Sequence, residues 1–124
     1  MAGMLLSFEL EHEENETLTL LCSMAGVKLR RVEPAGYGKT IGMLLGAVPA
    51  AGHSADGTLM GDKMLVFSEI SDLQLELLLS GIRSLGIAQG SYKAVVTEHN
   101  IRWTPSVLMA ELRREREELQ DKPK

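Results

Sequence analysis

Two stretches of this chain share one order of apolar and polar positions. Met4 to Phe8 and Met64 to Phe67 are short apolar runs that end in an acidic turn, a pattern typical of buried strands. A segment with apolar residues three and four positions apart follows each run, which predicts a helix with one buried face. Ser71, with a glutamine three residues later, predicts a capping box at the start of the second helix. The helices should end at Gly26 and Gly86, since glycine suits the left-handed residue that terminates a helix. The offset is 60 residues for the first strand and the end of the helix (4 to 64, 26 to 86) and near 65 for the strand that follows, so we predict an internal repeat.

A second strand is predicted after each helix, at Val27 to Val32 and at Tyr92 to Thr97. A polar turn follows each strand, then a short helix at Thr40 to Leu45 and a long one at Thr104 to Leu119. The chain therefore reads as two β-α-β-α halves. Because β-α-β connections are right-handed and join parallel strands, we expect an α/β or α+β fold. Its four-stranded mixed sheet should carry packed helices in a ferredoxin-like or related layered architecture.

The length fits one domain over residues 1–124. We divide it into a half at 4–46, a loop at 47–62, a half at 63–120 and a tail at 121–124. The loop contains glycines, a proline and small polar residues without any periodicity. Unstructured connections longer than about 12–15 residues are uncommon inside compact domains, so this loop is either functional or disordered. We favour disorder.

Composition narrows the class of protein. Cys22 is the only cysteine, which excludes an intramolecular disulfide and a zinc ribbon, and it falls on the buried stripe of the first helix as a small apolar residue. No apolar segment approaches the roughly 20 residues that span a bilayer, and the acidic N-terminal region is unlike a signal peptide. We therefore expect a cytoplasmic protein with no membrane contact. The net charge is -4, and the one basic cluster alternates with glutamates, so we expect no nucleic-acid partner.

Few residues carry recognisable chemistry. The segment from Gly36 to Thr40 resembles the end of a phosphate-binding loop, but Glu33 stands where that motif requires its first glycine. Lys39 and Thr40 still enter a predicted helix and are candidates for holding a small anion. The three histidines lack the spacing of metal ligands, so we expect neither metal nor cofactor. No catalytic residues can be defended; activity as an enzyme stays open, with a non-enzyme favoured.

The turn before the last helix contains the remaining candidates, Thr97, Asn100 and Trp103. Trp103 directly precedes the predicted cap Thr104 and Pro105. A hydrophobic residue before the cap commonly staples the chain to the helix, and we favour this role over stacking on a ligand. This turn and the turn containing Lys39 occupy corresponding places in the two halves. They could meet at a pseudo-twofold axis.

These residues also carry a family resemblance. The string Lys93-Ala94-Val95-Val96-Thr97, with Asn100 and Trp103-Thr104 after it and a strand and leucine-rich helix before it, resembles the bacterial domain-of-unknown-function family 3783 (DUF3783). The resemblance is strongest over Lys63 to Leu119. It implies a small bacterial cytoplasmic protein. The family has no established activity, so the resemblance supplies no catalytic residues.

Two functions stay open at this point. The first is a non-enzymatic binding or protein-interaction module that works as a homodimer. The second is binding of, or slow chemistry on, a small anionic ligand at the two strand-to-helix turns. A pocket with convergent polar groups there would favour the ligand, whereas a flat apolar surface on the pseudo-twofold axis would favour the dimer. The apolar positions of the last helix, ending at Leu119, are a further surface for a second subunit, although we favour a solvated helix.

Overall fold

A computed structural model describes residues 3–46 and 59–121 of the protein. Most of the predicted loop at 47–62 and the last three residues of the tail lie outside these ranges. Two short 3-10 turns, Pro34–Gly36 and Asn100–Arg102, precede the second and fourth helices. The other elements are β1 (Met4–Phe8), α1 (His12–Ala25), β2 (Lys28–Val32), α2 (Ile41–Leu44), β3 (Met64–Ser68), α3 (Asp72–Leu85), β4 (Tyr92–Val95) and α4 (Pro105–Asp121).

The four strands form one sheet in the order β2-β1-β3-β4. β1 is parallel to β2 and β3 is parallel to β4, while the central pair β1 and β3 is antiparallel. The predicted four-stranded mixed sheet in a layered α/β arrangement is therefore confirmed. Leu6 pairs directly with Val66, its counterpart 60 positions later. The two halves, β1 to α2 and β3 to α4, have the same order of elements and are joined by this antiparallel pair. An approximate twofold axis therefore crosses the sheet between Leu6 and Val66.

Helices cover both faces of the sheet. α1 and α3 pack on one face, while α2 and α4 pack on the other. Successive residues of β1 point to opposite faces of the sheet. Leu5 packs under α1 and α3, Leu6 packs under α2 and α4, and both are fully buried. This explains why the central strands are continuous apolar runs without alternation. Within the described residues, no helix combines the length and the apolar run that crossing a membrane requires.

α1 ends, and α3 both begins and ends, as the pattern predicts. The Ser71 hydroxyl accepts a bond from the Gln74 backbone N–H at 3.1 Å, and the Gln74 side chain accepts one from the Ser71 N–H at 3.0 Å. This reciprocal pair is the predicted capping box. Gly26 and Gly86 end α1 and α3 with φ of 74° and 68°, a left-handed backbone that other residues adopt only with strain.

The third residue of each of these helices also ties the two halves together. The Gln74 side chain donates to the Ala25 carbonyl at the end of α1. Glu14 accepts from the Ala88 backbone N–H at 2.6 Å and from Lys63 Nζ at 2.7 Å. Burial raises the pKa of Glu14, but these bonds and one from the Glu11 N–H outweigh it and hold the pKa below its usual value. The ionised carboxylate therefore stabilises the fold.

We expect Glu14→Gln to lower the free energy of unfolding by about 1–2 kcal/mol at neutral pH, because charge-assisted bonds are lost. A lowered folded-state pKa contributes stability above the unfolded-state pKa and loses it as the pH falls through the folded value. The deficit of the variant should therefore shrink below about pH 4, where the natural carboxyl is protonated too. Urea unfolding from about pH 3 to pH 7 measures it.

Glu13→Gln is the matched control, because Glu13 is an exposed neighbour on the same helix turn. That variant should unfold like the natural protein at every pH. A deficit of Glu14→Gln that stays constant down to pH 3 would contradict the role of its charge.

Candidate functional site

The turn after β4 is held by the side chains of Thr97 and Asn100. The Asn100 amide donates to the Val95 carbonyl at 3.0 Å and accepts from the Thr97 N–H at 2.8 Å. The Thr97 hydroxyl accepts from the backbone N–H groups of His99 and Asn100, at 3.3 Å and 3.1 Å. Asn100 is buried, with 7% of its surface exposed. Both side chains are therefore engaged in shaping the turn.

Trp103 follows this turn and is half-buried. Its side chain packs against the core between the sheet and the helices α2 and α4. Its backbone N–H donates to the Asn100 carbonyl at 3.0 Å. This packing supports the interpretation of Trp103 as a staple at the entry of α4.

The two strand-to-helix turns meet, but on one side only. The Ile41 N–H at the start of α2 donates to the Trp103 carbonyl at 2.8 Å. Beyond the helices the two halves correspond at an offset of 64, since Arg30 and Ala94 pair with the matched residues of the central strands. The counterpart of Ile41 is therefore Pro105, which has no N–H, so the reciprocal bond cannot form. The Thr40 hydroxyl accepts from the Met43 N–H at 3.2 Å and caps α2. Thr40 thus acts as a helix cap, and α2 is a single turn long.

A groove of about 740 Å³ lies between the outer edge of β4, the turn after it and α4. Thr97, Asn100 and Trp103 line it, whereas Lys39 and Thr40 do not. The structure therefore brings together three of the five candidate residues. The other side chains of the groove are apolar or charged: Ala94, Val95, Leu108 and Leu112, and Lys93, Glu98, His99, Arg102, Glu111 and Glu115.

Two charged side chains of the groove, Lys93 and Glu111, have arginines of α4 as neighbours. Burial lowers the pKa of Lys93, and the nearby charge of Arg116 adds to this effect. Arg116 stacks over the Tyr92 ring, 3.6 Å from its centroid. Glu111 is ion-paired with Arg114, whose hydrogen bond lowers the pKa of the Glu111 carboxyl. The contacts of Arg116 could not be predicted from the sequence, because they arise only when α4 packs along β4, whereas the Glu111–Arg114 pair is local to α4.

A second surface is the outer side of the α1–α3 helix pair. The helices approach closely where Leu21 faces Gly81: a Cβ added to Gly81 would lie 2.8 Å from Leu21 Cδ2. The bond from Gln74 to Ala25 joins the end of α1 to the start of α3, so the two helices are antiparallel. Helical spacing places four exposed side chains along the outer side of this contact. They are Leu20 (67% exposed), Met24 (85%), Leu73 (67%) and Leu77 (54%), which we call the α1–α3 apolar face.

The sequence contained a signal for this face. In each helix two apolar residues stand four positions apart, Leu20 with Met24 and Leu73 with Leu77, off the stripe that packs on the sheet. Such residues cannot reach the sheet from the same helix, so a second apolar stripe indicates a second contact surface.

The cysteine and the histidine of α1 belong to neither of these two surfaces. Burial raises the pKa of the Cys22 thiol to about 11, so it stays protonated and unreactive. His12 lies on the surface of α1 with Nε2 2.8 Å from Glu16 Oε1. Among residues 3–46 and 59–121, no three histidine, cysteine or acidic side chains are grouped so that they could hold a metal ion.

Comparison with known families matches residues 63–119 to the model described as Domain of unknown function (DUF3783). The C-terminal half of the chain resembles this family. The DUF3783 segment begins just before β3 and ends within α4, so it contains the whole groove and none of α1. Neither the curated proteins nor the solved structures yielded a match to the chain.

We expect Trp103→Ala to lower the free energy of unfolding by about 3 kcal/mol, as large aromatic truncations in packed positions do. Urea unfolding of the purified variant measures this. Val107→Ala is the matched control, because Val107 is an apolar residue of α4 that is 50% exposed. It should cost less than about 0.5 kcal/mol. An unchanged midpoint for Trp103→Ala would contradict the staple and favour a ligand-stacking role.

Asn100→Ala should cost about 1–3 kcal/mol, because the Val95 carbonyl and the Thr97 N–H lose their partner. In hydrogen exchange, the Thr97 amide should lose protection while the amides of α3 keep theirs. His99→Ala, at an exposed neighbouring position, is the control and should leave both unchanged. Retained protection of the Thr97 amide in Asn100→Ala would show that Asn100 does not hold the turn.

Proposed function

We propose that the protein is a non-enzymatic protein-interaction module that works as a homodimer through its α1–α3 apolar face. The observation that carries the proposal is the exposure of Leu20, Met24, Leu73 and Leu77 on one side of a helix pair. A contiguous patch of large apolar side chains on the surface of a globular protein commonly marks an interaction site.

The position of the face favours a second copy as its partner. It lies beside the Leu21–Gly81 contact, which is on the approximate twofold axis. Helical spacing puts the uncharged residues Thr17, Ser80 and Ser84 next to the four apolar ones, while the exposed glutamates of both helices stand at the edge of the face. Two identical faces can therefore meet near their centres without burying like charges against each other.

The energetics are of the right size for a dimer. Full burial of a leucine or methionine side chain contributes about 1.5–3 kcal/mol. Burying the four partly exposed side chains of each copy would contribute on the order of 10 kcal/mol. Association costs an estimated 4–15 kcal/mol in lost freedom, so the face can support a reversible dimer.

The proposal also includes an internal repeat, a bacterial cytoplasmic source and the absence of a nucleic-acid partner. Two halves with one element order, joined in one continuous sheet, support an internal repeat within a single domain. The DUF3783 resemblance supports a small bacterial cytoplasmic protein. The acidic net charge supports the absence of a nucleic-acid partner.

Binding of a small anionic ligand at the two turns stays the alternative. The meeting of the turns at Ile41 and Trp103 favours it. Against it, the hydroxyl of Thr40 and the amide of Asn100 already bind the backbone of their own turns. The dimer therefore explains more of the exposed surface.

Sedimentation velocity over about 1–200 µM tests the dimer, a range that brackets reversible association. We expect a concentration-dependent dimer for the natural protein. Met24→Glu should raise the dimer Kd at least about 100-fold, since each copy would bury an unpaired carboxylate.

Leu119→Glu is the matched control, because Leu119 is 70% exposed and belongs to α4. This helix packs on the face of the sheet opposite to α1 and α3. It should dimerise like the natural protein. Dissociation by Leu119→Glu but not by Met24→Glu would assign the interface to α4 instead. A natural protein that stays monomeric over the whole range would refute the homodimer.

A further inference from the structure

The outer edge of β4 exposes backbone groups that can pair with another strand. The Tyr92 N–H donates to the Lys63 carbonyl and the Val96 N–H to the Phe67 carbonyl, both at 2.9 Å. Since alternate residues of a parallel strand face opposite neighbours, Lys93 and Val95 direct their N–H and C=O groups away from β3. Within the described residues, no other strand pairs with this edge.

Asn100 already occupies one position on this edge. In a parallel ladder, a residue of the neighbouring strand donates to one carbonyl and accepts from the N–H two residues further on. The Asn100 amide does both, with the Val95 carbonyl and the Thr97 N–H. It therefore imitates one residue of a fifth strand parallel to β4. The preceding pair of groups, the Lys93 carbonyl and the Val95 N–H, is left for an incoming chain.

The same geometry disfavours the β4 strand of a second copy. Antiparallel pairing would use the N–H and C=O of one residue together, and the Val95 carbonyl is already taken by Asn100. Pairing centred on Lys93 would set two lysines directly opposite each other, which is destabilising. The edge is thus suited to a short segment that runs parallel to β4.

The groove beside the edge has an apolar floor. A residue paired with Ala94 in such a ladder would point to the same side of the sheet as Ala94, which is the side of α4. There it would meet Leu108 and Leu112. An apolar side chain at this position would be buried on binding.

The end of the groove favours a chain terminus. A segment parallel to β4 cannot continue in the ladder past Asn100. His99 and Arg102 line the groove at this end, and Glu98 is the exposed carboxylate beside them. Glu111 is ion-paired with Arg114, and Glu115 stands next to Arg116, which stacks over Tyr92 at the opposite end of the groove. The charge of Arg102 therefore offsets that of Glu98 at this end, and an α-carboxylate would gain charge-assisted bonds from Arg102.

We infer that this groove binds the C-terminal three residues of a partner polypeptide as a short fifth strand parallel to β4. The last side chain is apolar and packs on Leu108 and Leu112, and its α-carboxylate is bound by Arg102 with His99. The site is separate from the α1–α3 apolar face, because the two lie on opposite faces of the sheet.

The probe is an acetylated hexapeptide of alternating threonine and leucine that ends in leucine with a free carboxylate. It is titrated into the full-length ¹⁵N-labelled protein at pH 6.5, and its C-terminally amidated form is titrated in parallel. We expect saturable shifts of the Lys93, Val95 and Thr97 amides with the free acid. Amidation should weaken binding about tenfold or more, as the loss of a charge-assisted bond does.

Arg102→Gln should weaken binding of the free acid by a similar factor and leave the amidated peptide unchanged, because Arg102 is exposed and the fold does not depend on it. Arg83→Gln, which removes an exposed charge from α3, is the matched control and should bind like the natural protein. Met24→Glu should also bind normally, which separates this site from the proposed dimer.

Absence of shifts at millimolar peptide would overturn the inference, as would shifts confined to α1 and α3. Equal binding of the free and amidated peptides, or of Arg102→Gln and the natural protein, would exclude a carboxylate site and overturn it as well.

Discussion

The antiparallel pairing of β1 with β3 is the constraint on which the rest of the structure depends. It sets Leu6 against Val66 and places both central strands inside the sheet, with a parallel partner on each outer side. Strands with two buried faces need helices on both sides, which the two β-α-β-α halves supply. The close contact of α1 with α3 and the meeting of the two turns then follow on opposite sides of the same axis.

Polar side chains join the halves where this pairing leaves backbone groups unsatisfied. Glu14 reaches the loop after α3, and Gln74 reaches the end of α1. Glu9 accepts from the Tyr37 hydroxyl at 3.0 Å and from the Met60 and Gly61 N–H groups at 2.6 Å and 3.0 Å. These carboxylates therefore fix the chain where it returns to the sheet to begin β3. For Glu14 the bonds lower the pKa of the carboxyl, which ties the stability of the fold to pH.

Much of the fold follows from the sequence, because its signals are local. The capping box at Ser71, the terminal Gly26 and Gly86, and the apolar central strands each depend on neighbouring residues and are confirmed. The candidate site was harder to predict. Thr97, Asn100 and Trp103 do share a groove, but its other wall comes from α4, and the distance between α4 and β4 is set by tertiary packing.

Among the described residues, the place in the N-terminal half that corresponds to the groove is occupied, and single residues explain why. Register with the central strands makes Arg30 of β2 the counterpart of Ala94 in β4. Arg30 spans the corresponding space and donates to the Leu44 carbonyl at the end of α2, at 2.7 Å. The small Ala94 leaves that space open, and α4 is 17 residues long where α2 has 4. The counterpart of Asn100 is Gly36, which has no side-chain amide to occupy the edge of β2. In the C-terminal half, the part that resembles DUF3783, the edge of β4 is open, α4 forms the wall of the groove and Asn100 closes one end of it. In the N-terminal half, the side chain of Arg30 fills the corresponding place.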